Sequence, residues 1–126
     1  MHATDLAWAA GVIDGEGCIT IQREQRRGSY QYDPALIVEM VHRPTIERLR
    51  AIFNAGTVRP AVRRHRQAWR FVLRHRRGDT WLLKLLPYLC AKHAEAMLLV
   101  MFWHRPQTER DALYWRCRAL KTRQYP

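Results

Sequence analysis

Ala9-Ala10-Gly11-Val12-Ile13-Asp14-Gly15-Glu16-Gly17 is the stretch on which the reading of this chain turns. It ends an alanine-rich segment, 5–14 (DLAWAAGVID), that reads as a helix with Thr4 as its N-cap. Gly15 and Gly17 then break the helix and let the backbone expose its carbonyls. Ala7, Ala9, Ala10 and Gly11 leave a nearly bare stripe that permits close approach of a second helix. Two carboxylates, Asp14 and Glu16, sit against the negative end of the helix dipole, which by itself is unfavourable by roughly a fraction of a kcal/mol each. Acidic side chains, free carbonyls and a negative dipole end together suit a hard divalent cation such as Mg²⁺. Taken alone, the same residues read more simply as solvent-exposed acids in a glycine turn.

The sequence on either side supplies a sheet. Residues 18–24 (CITIQRE) alternate and are rich in β-branched side chains, so they read as a strand. RRGS (26–29) carries turn chemistry, and 30–41 (YQYDPALIVEMV) reads as a second strand in which Pro34 marks an edge or a bulge. Pro44 opens a helix to about Asn54, with Gly56 at its C-terminal cap. Residues 57–64 and 68–74 read as a hairpin joined through His65, Arg66 and Gln67. In its second arm Trp69, Phe71 and Leu73 share one face, while Ala68, Arg70, Val72 and Arg74 share the other. Asp79 caps a helix through Leu86 that Pro87 ends, and 91–104 is the most apolar helix. T-E-R-D (108–111) has the form of a capping box opening a last helix to about Arg123. Trp81, Met101, Phe102, Trp103 and Trp115 read as core or helix packing. The order α-β-β-α-β-β-α-α-α is an α+β fold, one antiparallel four-stranded sheet with helices on one face.

A chain of 126 residues is one domain by length, and 48% hydrophobic content argues against disorder. The longest apolar run, Ala96 to Trp103, falls short of the ~18 residues of a membrane span. The N-terminus has no signal-peptide pattern, so a cytoplasmic protein of bacterial or phage origin is expected, with an organelle as the alternative. Cys18, Cys90 and Cys117 form neither a disulfide framework nor a zinc motif. Lys and Arg number 22 against 11 Asp and Glu, a net charge of +11 that calls for a polyanionic partner. All but Lys84, Lys92 and Lys121 of these cations are arginine, a bias that GC-rich coding explains equally well. Eight arginines and two histidines lie between Arg59 and Arg77, and no acid occurs from 57 to 78. On strand alternation Thr20, Gln22, Arg59, Arg63, Arg70 and Arg74 share the face turned away from the helices, and Arg26 and Arg27 join them at the first hairpin's tip. That is the vocabulary of base-edge and phosphate contact; a merely solubilising face would mix signs. Glu24 and Glu39 are odd on such a face, and fit either cytosine contact or a salt bridge to a neighbouring arginine.

The stretch 9–17, led in by Asp5-Leu6-Ala7-Trp8 and followed directly by Cys18-Ile19-Thr20-Ile21, resembles the signature of the LAGLIDADG homing endonucleases: a hydrophobic helix, G-x-x-D-G-(D/E)-G, then a strand. Leu85-Leu86-Pro87-Tyr88-Leu89-Cys90-Ala91-Lys92 is similar to that family's L-x-P-(F/Y)-L-x-x-K segment, and the likeness covers about 5–105. The resemblance implies an αββαββα fold with a saddle-shaped sheet. It implies that Glu16 is the catalytic acid and a metal ligand, that Gly15 offers its carbonyl to the metal, and that Asp14 lies at the same helix end in a more structural role. Lys92 then polarises solvent or stabilises the transition state, and His42 falls where the family has Gln or Asn on the solvent network. A basic residue is expected shortly after it; Ile46 falls near that position, with Arg43 or Arg48 as stand-ins.

A single motif implies a homodimer in which Ala7, Ala10 and Gly11 meet across a two-fold axis; Trp8 fits either that interface or the core. The implied reaction is Mg²⁺-dependent cleavage of double-stranded DNA at a long pseudo-palindromic target, leaving short 3′ overhangs. Mn²⁺ would substitute, and Ca²⁺ would bind without supporting cleavage. Intron mobility is the implied setting, with no membrane and no small-molecule substrate. The alternative is the same fold with a disabled centre, acting on DNA or RNA as a maturase or regulator.

Overall fold

The computed structural model describes residues 1–123, and the expected order of elements holds. Helix α1 spans Ala3–Glu16, strands β1 and β2 span Gly17–Arg26 and Ser29–Met40, and α2 spans Arg43–Phe53. Strands β3 (Thr57–Arg63) and β4 (Arg66–Arg74) follow, then α3 (Trp81–Leu85), α4 (His93–Phe102) and α5 (Arg110–Arg123). The sheet order is β1-β2-β4-β3, and every neighbouring pair is antiparallel. Ile19 faces Leu36 across the first pair, and Leu36 faces Leu73 across the second, so one side of the sheet is continuously apolar. Against it pack Leu6, Ala9 and Ile13 of α1, Ile46, Leu49 and Phe53 of α2, and Leu99 and Phe102 of α4. No helix among the described residues is long and apolar enough to cross a membrane.

Several boundaries differ from the sequence reading, each for a local reason. α1 begins at Ala3 with His2 before it, so Thr4 is not the cap, and it continues through Gly15 to Glu16. Only Gly17 ends it, extended at φ −91°, ψ 170°, with its N–H donating to the Ile13 carbonyl. A Cβ at Gly17 would lie 2.9 Å from that carbonyl oxygen, whereas one at Gly15 would meet nothing. Pro34 sits in a central strand rather than an edge. Its carbonyl accepts from the His75 N–H at 2.9 Å, just past the last β2–β4 pair, Ala35 with Arg74. Because both backbone polar groups of an antiparallel residue point the same way, the missing proline N–H is lost where the β4 ladder has already ended.

The second hairpin turns at Arg64 and His65, not through Arg66 and Gln67. Both turn residues adopt left-handed φ, 51° and 64°, as a two-residue hairpin turn requires. Asp79 accepts from the Arg76 N–H at 2.8 Å instead of capping α3. The 108–111 capping box does not form. The Glu109 N–H instead donates to the Pro106 carbonyl in a 3₁₀ turn, and α5 begins at Arg110.

α5 covers the β1 edge, where the buried Cys117 thiol points at the Ile19 carbonyl at 3.8 Å and burial pushes its pKa up. Trp115 is half exposed rather than core. With Tyr30 and Tyr114 it surrounds the Arg23 guanidinium, which lies 4.3–5.2 Å from the three ring centres. That cation–π cluster ties the first hairpin to α5.

Candidate active site and nucleic-acid interface

The last turn of α1 lies against the loop that leads into α4. The Asp14 carboxylate accepts from the backbone N–H of Cys90 at 2.8 Å and of Lys92 at 3.0 Å, one oxygen to each. The Lys92 ammonium donates in return to the Asp14 carbonyl at 2.7 Å. Three hydrogen bonds therefore join two segments far apart in sequence. They place a carboxylate at the positive end of α4 and a cation at the negative end of α1, both favourable orientations. Lys92 is 9% exposed, so its ammonium is held with little freedom. Two residues beyond Asp14, Glu16 is exposed and ends the helix. The Gly15 carbonyl beside it has no following helical amide to pair with.

Arg63, at the end of β3, reaches this corner as well. Its guanidinium donates to the Glu39 carbonyl at 2.9 Å and lies 3.7 Å from Glu16 Oε2. His42 is placed differently: its Nδ1 is 2.7 Å from Thr45 Oγ1 in the first turn of α2, and no hydrogen bond or ion pair among the described residues joins it to Glu16 or Lys92. Ile46 is fully buried. Arg43 pairs with Glu47 at 3.3 Å and stacks 4.0 Å over Trp69, while Arg48 stacks 4.0 Å over Trp8 and lies 3.8 Å from Asp5. Neither Arg43 nor Arg48 makes a hydrogen bond or ion pair with the Asp14–Glu16 corner.

The outward side of α1 carries Ala7, Gly11 and Gly15, all exposed. Ala10, expected beside them, is fully buried in the chain's own core, so it cannot form part of that surface. An added Cβ at Gly11 or Gly15 would meet no atom within 4 Å.

The open side of the sheet carries Thr20, Gln22, Arg59, Arg63, Arg70 and Arg74, because each alternates with a helix-facing neighbour. Arg59 stands directly opposite Arg70, and Arg63 directly opposite Arg66. Like charges in such cross-strand pairs destabilise a sheet, so this surface is strained toward binding an anion. Acids temper it: Glu39 lies 4.0 Å from Arg70, Asp33 3.7 Å from Arg74, and Glu24 3.2 Å from Arg26 at the first hairpin. Glu24 and Glu39 are thus salt-bridged to neighbouring arginines. Arg27 occupies the turn itself at φ 48°, beside Gly28. Arg66 was missed as a member of this face because the sequence reading put it in the turn. Arg118 and Lys121 of α5 were missed too; they line a groove with Thr20 and Gln22 along the β1 edge. Only the concentration of cations in α5 hinted at them.

No protein-family model and no curated protein matches the chain. Solved structures do. The homing endonuclease I-CvuI, in complex with its target and 2 mM Ca, is 29% identical over 95% of this chain and 79% of its own, with a TM-score of 0.69. I-CvuI with the I-CreI target and 2 mM Mg, its DNA not cleaved, is 27% identical over 93% of this chain and 82% of its own, with a TM-score of 0.77. Its structural neighbours are LAGLIDADG homing endonucleases, the family its motif resembles. The homing endonuclease I-TnaI shares the LAGLIDADG fold at 24% identity over 79% of this chain and 74% of its own, with a TM-score of 0.59. With a single copy of the motif in 126 residues, the chain fits the single-motif LAGLIDADG type, and the fold it shares is that of DNA-binding endonucleases.

Proposed function

We propose that the chain is a homodimeric, divalent-cation-dependent endonuclease that cuts double-stranded DNA at a long, pseudo-palindromic target. One observation carries the reading: Asp14 and Lys92 lock each other so that a nearly buried ammonium and the exposed Glu16 share one helix end. The strained arginine face beside them supplies affinity, since phosphates relieve its cross-strand repulsion and release counterions. Two copies of a chain of net charge +11 would double that attraction.

The dimer reading rests on α1. A helix-interior glycine costs about 1 kcal/mol relative to alanine, and nothing in this chain occupies the space left at Gly11 or Gly15. A second α1 laid on Ala7, Gly11 and Gly15 explains that cost. It also brings two Glu16 residues toward one another.

The donors fit a hard cation: the Glu16 carboxylate and the neighbouring Gly15 carbonyl are oxygen ligands. Among the described residues no three His, Cys, Asp or Glu side chains converge into a complete metal site, so the rest of the shell would come from the second copy and from DNA phosphate. When bound there, Mg²⁺ supplies Lewis-acid neutralisation of the scissile phosphate. In the hydrolysis a water oxygen adds to phosphorus, one P–O ester bond breaks, and the departing alkoxide takes a proton. Lys92 spends one N–H on the Asp14 carbonyl and keeps two for solvent or for developing negative charge. Asp14 fixes the Lys92 backbone, and Thr20, Gln22 and the arginines of the open face hold the duplex.

A weaker or disabled centre, acting as a DNA or RNA binder, is favoured by one observation: among the described residues no hydrogen bond or ion pair joins His42, Arg43 or Arg48 to Glu16, each being engaged elsewhere. Selection for cleavage from a randomised duplex library in Mg²⁺ separates the two readings. The expected result is a single long target family; the Glu16→Gln variant should then lose cleavage and keep binding in Ca²⁺. Equal cleavage by that variant removes the assigned chemistry.

A further inference from the structure

We infer that Arg63 is a catalytic residue of this reaction, held on Glu16 in the DNA-free protein and transferred to the scissile phosphate when substrate binds. The inference rests on the endonuclease reading above. Arg63 makes the only ion pair of Glu16 among the described residues, at 3.7 Å, and its guanidinium is anchored by the Glu39 carbonyl at 2.9 Å. The anchor matters because it holds the group at the Glu16 corner independently of the ion pair. Strand register adds to it, since Arg63 closes β3 beside a tight two-residue turn and faces Arg66.

The pair itself is breakable. Both side chains are exposed by more than two-fifths, 42% and 47%, and such pairs are worth little in water. Once Glu16 holds a divalent cation, it no longer neutralises the guanidinium. Arg63 then keeps one N–H on the Glu39 carbonyl and has the rest of its fork open next to the one carboxylate that would carry the cation, and a phosphate oxygen is the natural acceptor. It transfers no proton. Its role is to meet the charge that builds on the phosphate oxygens as the water oxygen bonds to phosphorus and the ester bond breaks. Lys92, nearly buried as well as tethered to the Asp14 carbonyl, has less reach toward a phosphate than the exposed Arg63.

The test uses the full chain with its selected duplex. In single-turnover cleavage at saturating protein, Arg63→Gln is expected to be about 100-fold slower than wild type, the scale seen when one transition-state donor is removed. Affinity for the duplex in Ca²⁺ should change by less than about 5-fold, and Arg63→Lys should recover part of the rate. A readout independent of cleavage comes from Mn²⁺ binding to the DNA-free protein. Freed from its competitor, Glu16 should bind Mn²⁺ about 1.5- to 5-fold more tightly in Arg63→Gln, the range an exposed pair contributes. Cleavage by Arg63→Gln at the wild-type rate, a loss confined to DNA affinity, or an unchanged Mn²⁺ affinity each overturns the inference while leaving the endonuclease reading in place. A wild-type protein that binds duplex and never cuts it removes that reading, and Arg63's role falls with it.

Discussion

Replacing Asp14 with asparagine separates the role of this carboxylate as a tie from a role as a metal ligand. Its two oxygens each accept one backbone N–H, from Cys90 at 2.8 Å and Lys92 at 3.0 Å. An amide retains one oxygen acceptor and turns an NH₂ toward the other N–H, so one bond is lost and a donor is set against a donor. The remaining bond loses its charge assistance. Bonds to an ionised acceptor contribute about 1.5–3 kcal/mol each, which puts the change at about 2–3 kcal/mol. At roughly 4 °C per kcal/mol for a chain of this length, the unfolding midpoint should fall by about 10 °C. A domain of ordinary stability survives that loss and can be studied folded.

The assay is urea and thermal unfolding of wild type and Asp14→Asn in chelator, with no divalent cation present. A large loss under those conditions is a loss of the tie between α1 and the α4 loop. Stability within about 0.5 kcal/mol of wild type refutes the tie, and a difference that appears only on adding Mg²⁺ assigns Asp14 to the cation instead. Lys92 is tethered by the same carboxylate and by the neighbouring carbonyl, so a folded Asp14→Asn protein should also cleave more slowly than its duplex affinity accounts for.

Gly11→Leu should leave the fold intact, because its Cβ meets nothing in the chain, yet convert the proposed dimer into a 15.0 kDa monomer in sedimentation; a variant still dimeric places the interface elsewhere. His75 provides a pH test. It is 7% exposed with its ring edge-on to Trp81, and burial holds its pKa below the usual 6.5, while Asp79 pulls it up and His104 pushes it down. Below pH 6.5 the unfolded chain therefore binds a proton that the folded chain resists. Stability from this residue is present above that pH and falls as pH drops toward the folded-state value, with a slope approaching about 1.4 kcal/mol per pH unit. His75→Phe should flatten that slope in urea titrations between pH 7 and pH 5, and an unchanged slope assigns it to other groups.

What could be read from the sequence was what is local. The alanine-rich run into D-G-E-G, the alternation of 18–24, and the Trp69-Phe71-Leu73 face are periodic patterns whose physics lies within a few residues, and they placed the helices and the sheet. Turn chemistry failed where its usual residues were absent: Arg64 and His65 adopt left-handed φ with no glycine or asparagine to signal the turn. Thr108 to Asp111 failed the other way, a correct capping pattern overruled when Pro106 drew Glu109 into a 3₁₀ turn.

The site was half legible for a deeper reason. Residue type marked Asp14, Glu16 and Lys92, but a charged side chain's partner is set by which strands lie side by side, and no short pattern encodes that. The order β1-β2-β4-β3 puts the acids of β2 next to the arginines of β4, pairing Glu39 with Arg70 and Asp33 with Arg74. The same order carries the end of the β3–β4 hairpin back across β2, so that Arg63 touches Glu39 and Glu16. An acid-free run of arginines from 57 to 78 therefore acquires its counter-charges only on folding, from Asp33 and Glu39 of β2 and Glu16 of α1. That limits the net field of the open face and leaves Arg59 and Arg66, which make no ion pair among the described residues, as the least compensated cations on it. Those two should contribute most to salt-dependent, sequence-independent affinity, while the acid-held Arg70 and Arg74, ordered in advance and shielded from stray phosphates, are the better placed to discriminate bases.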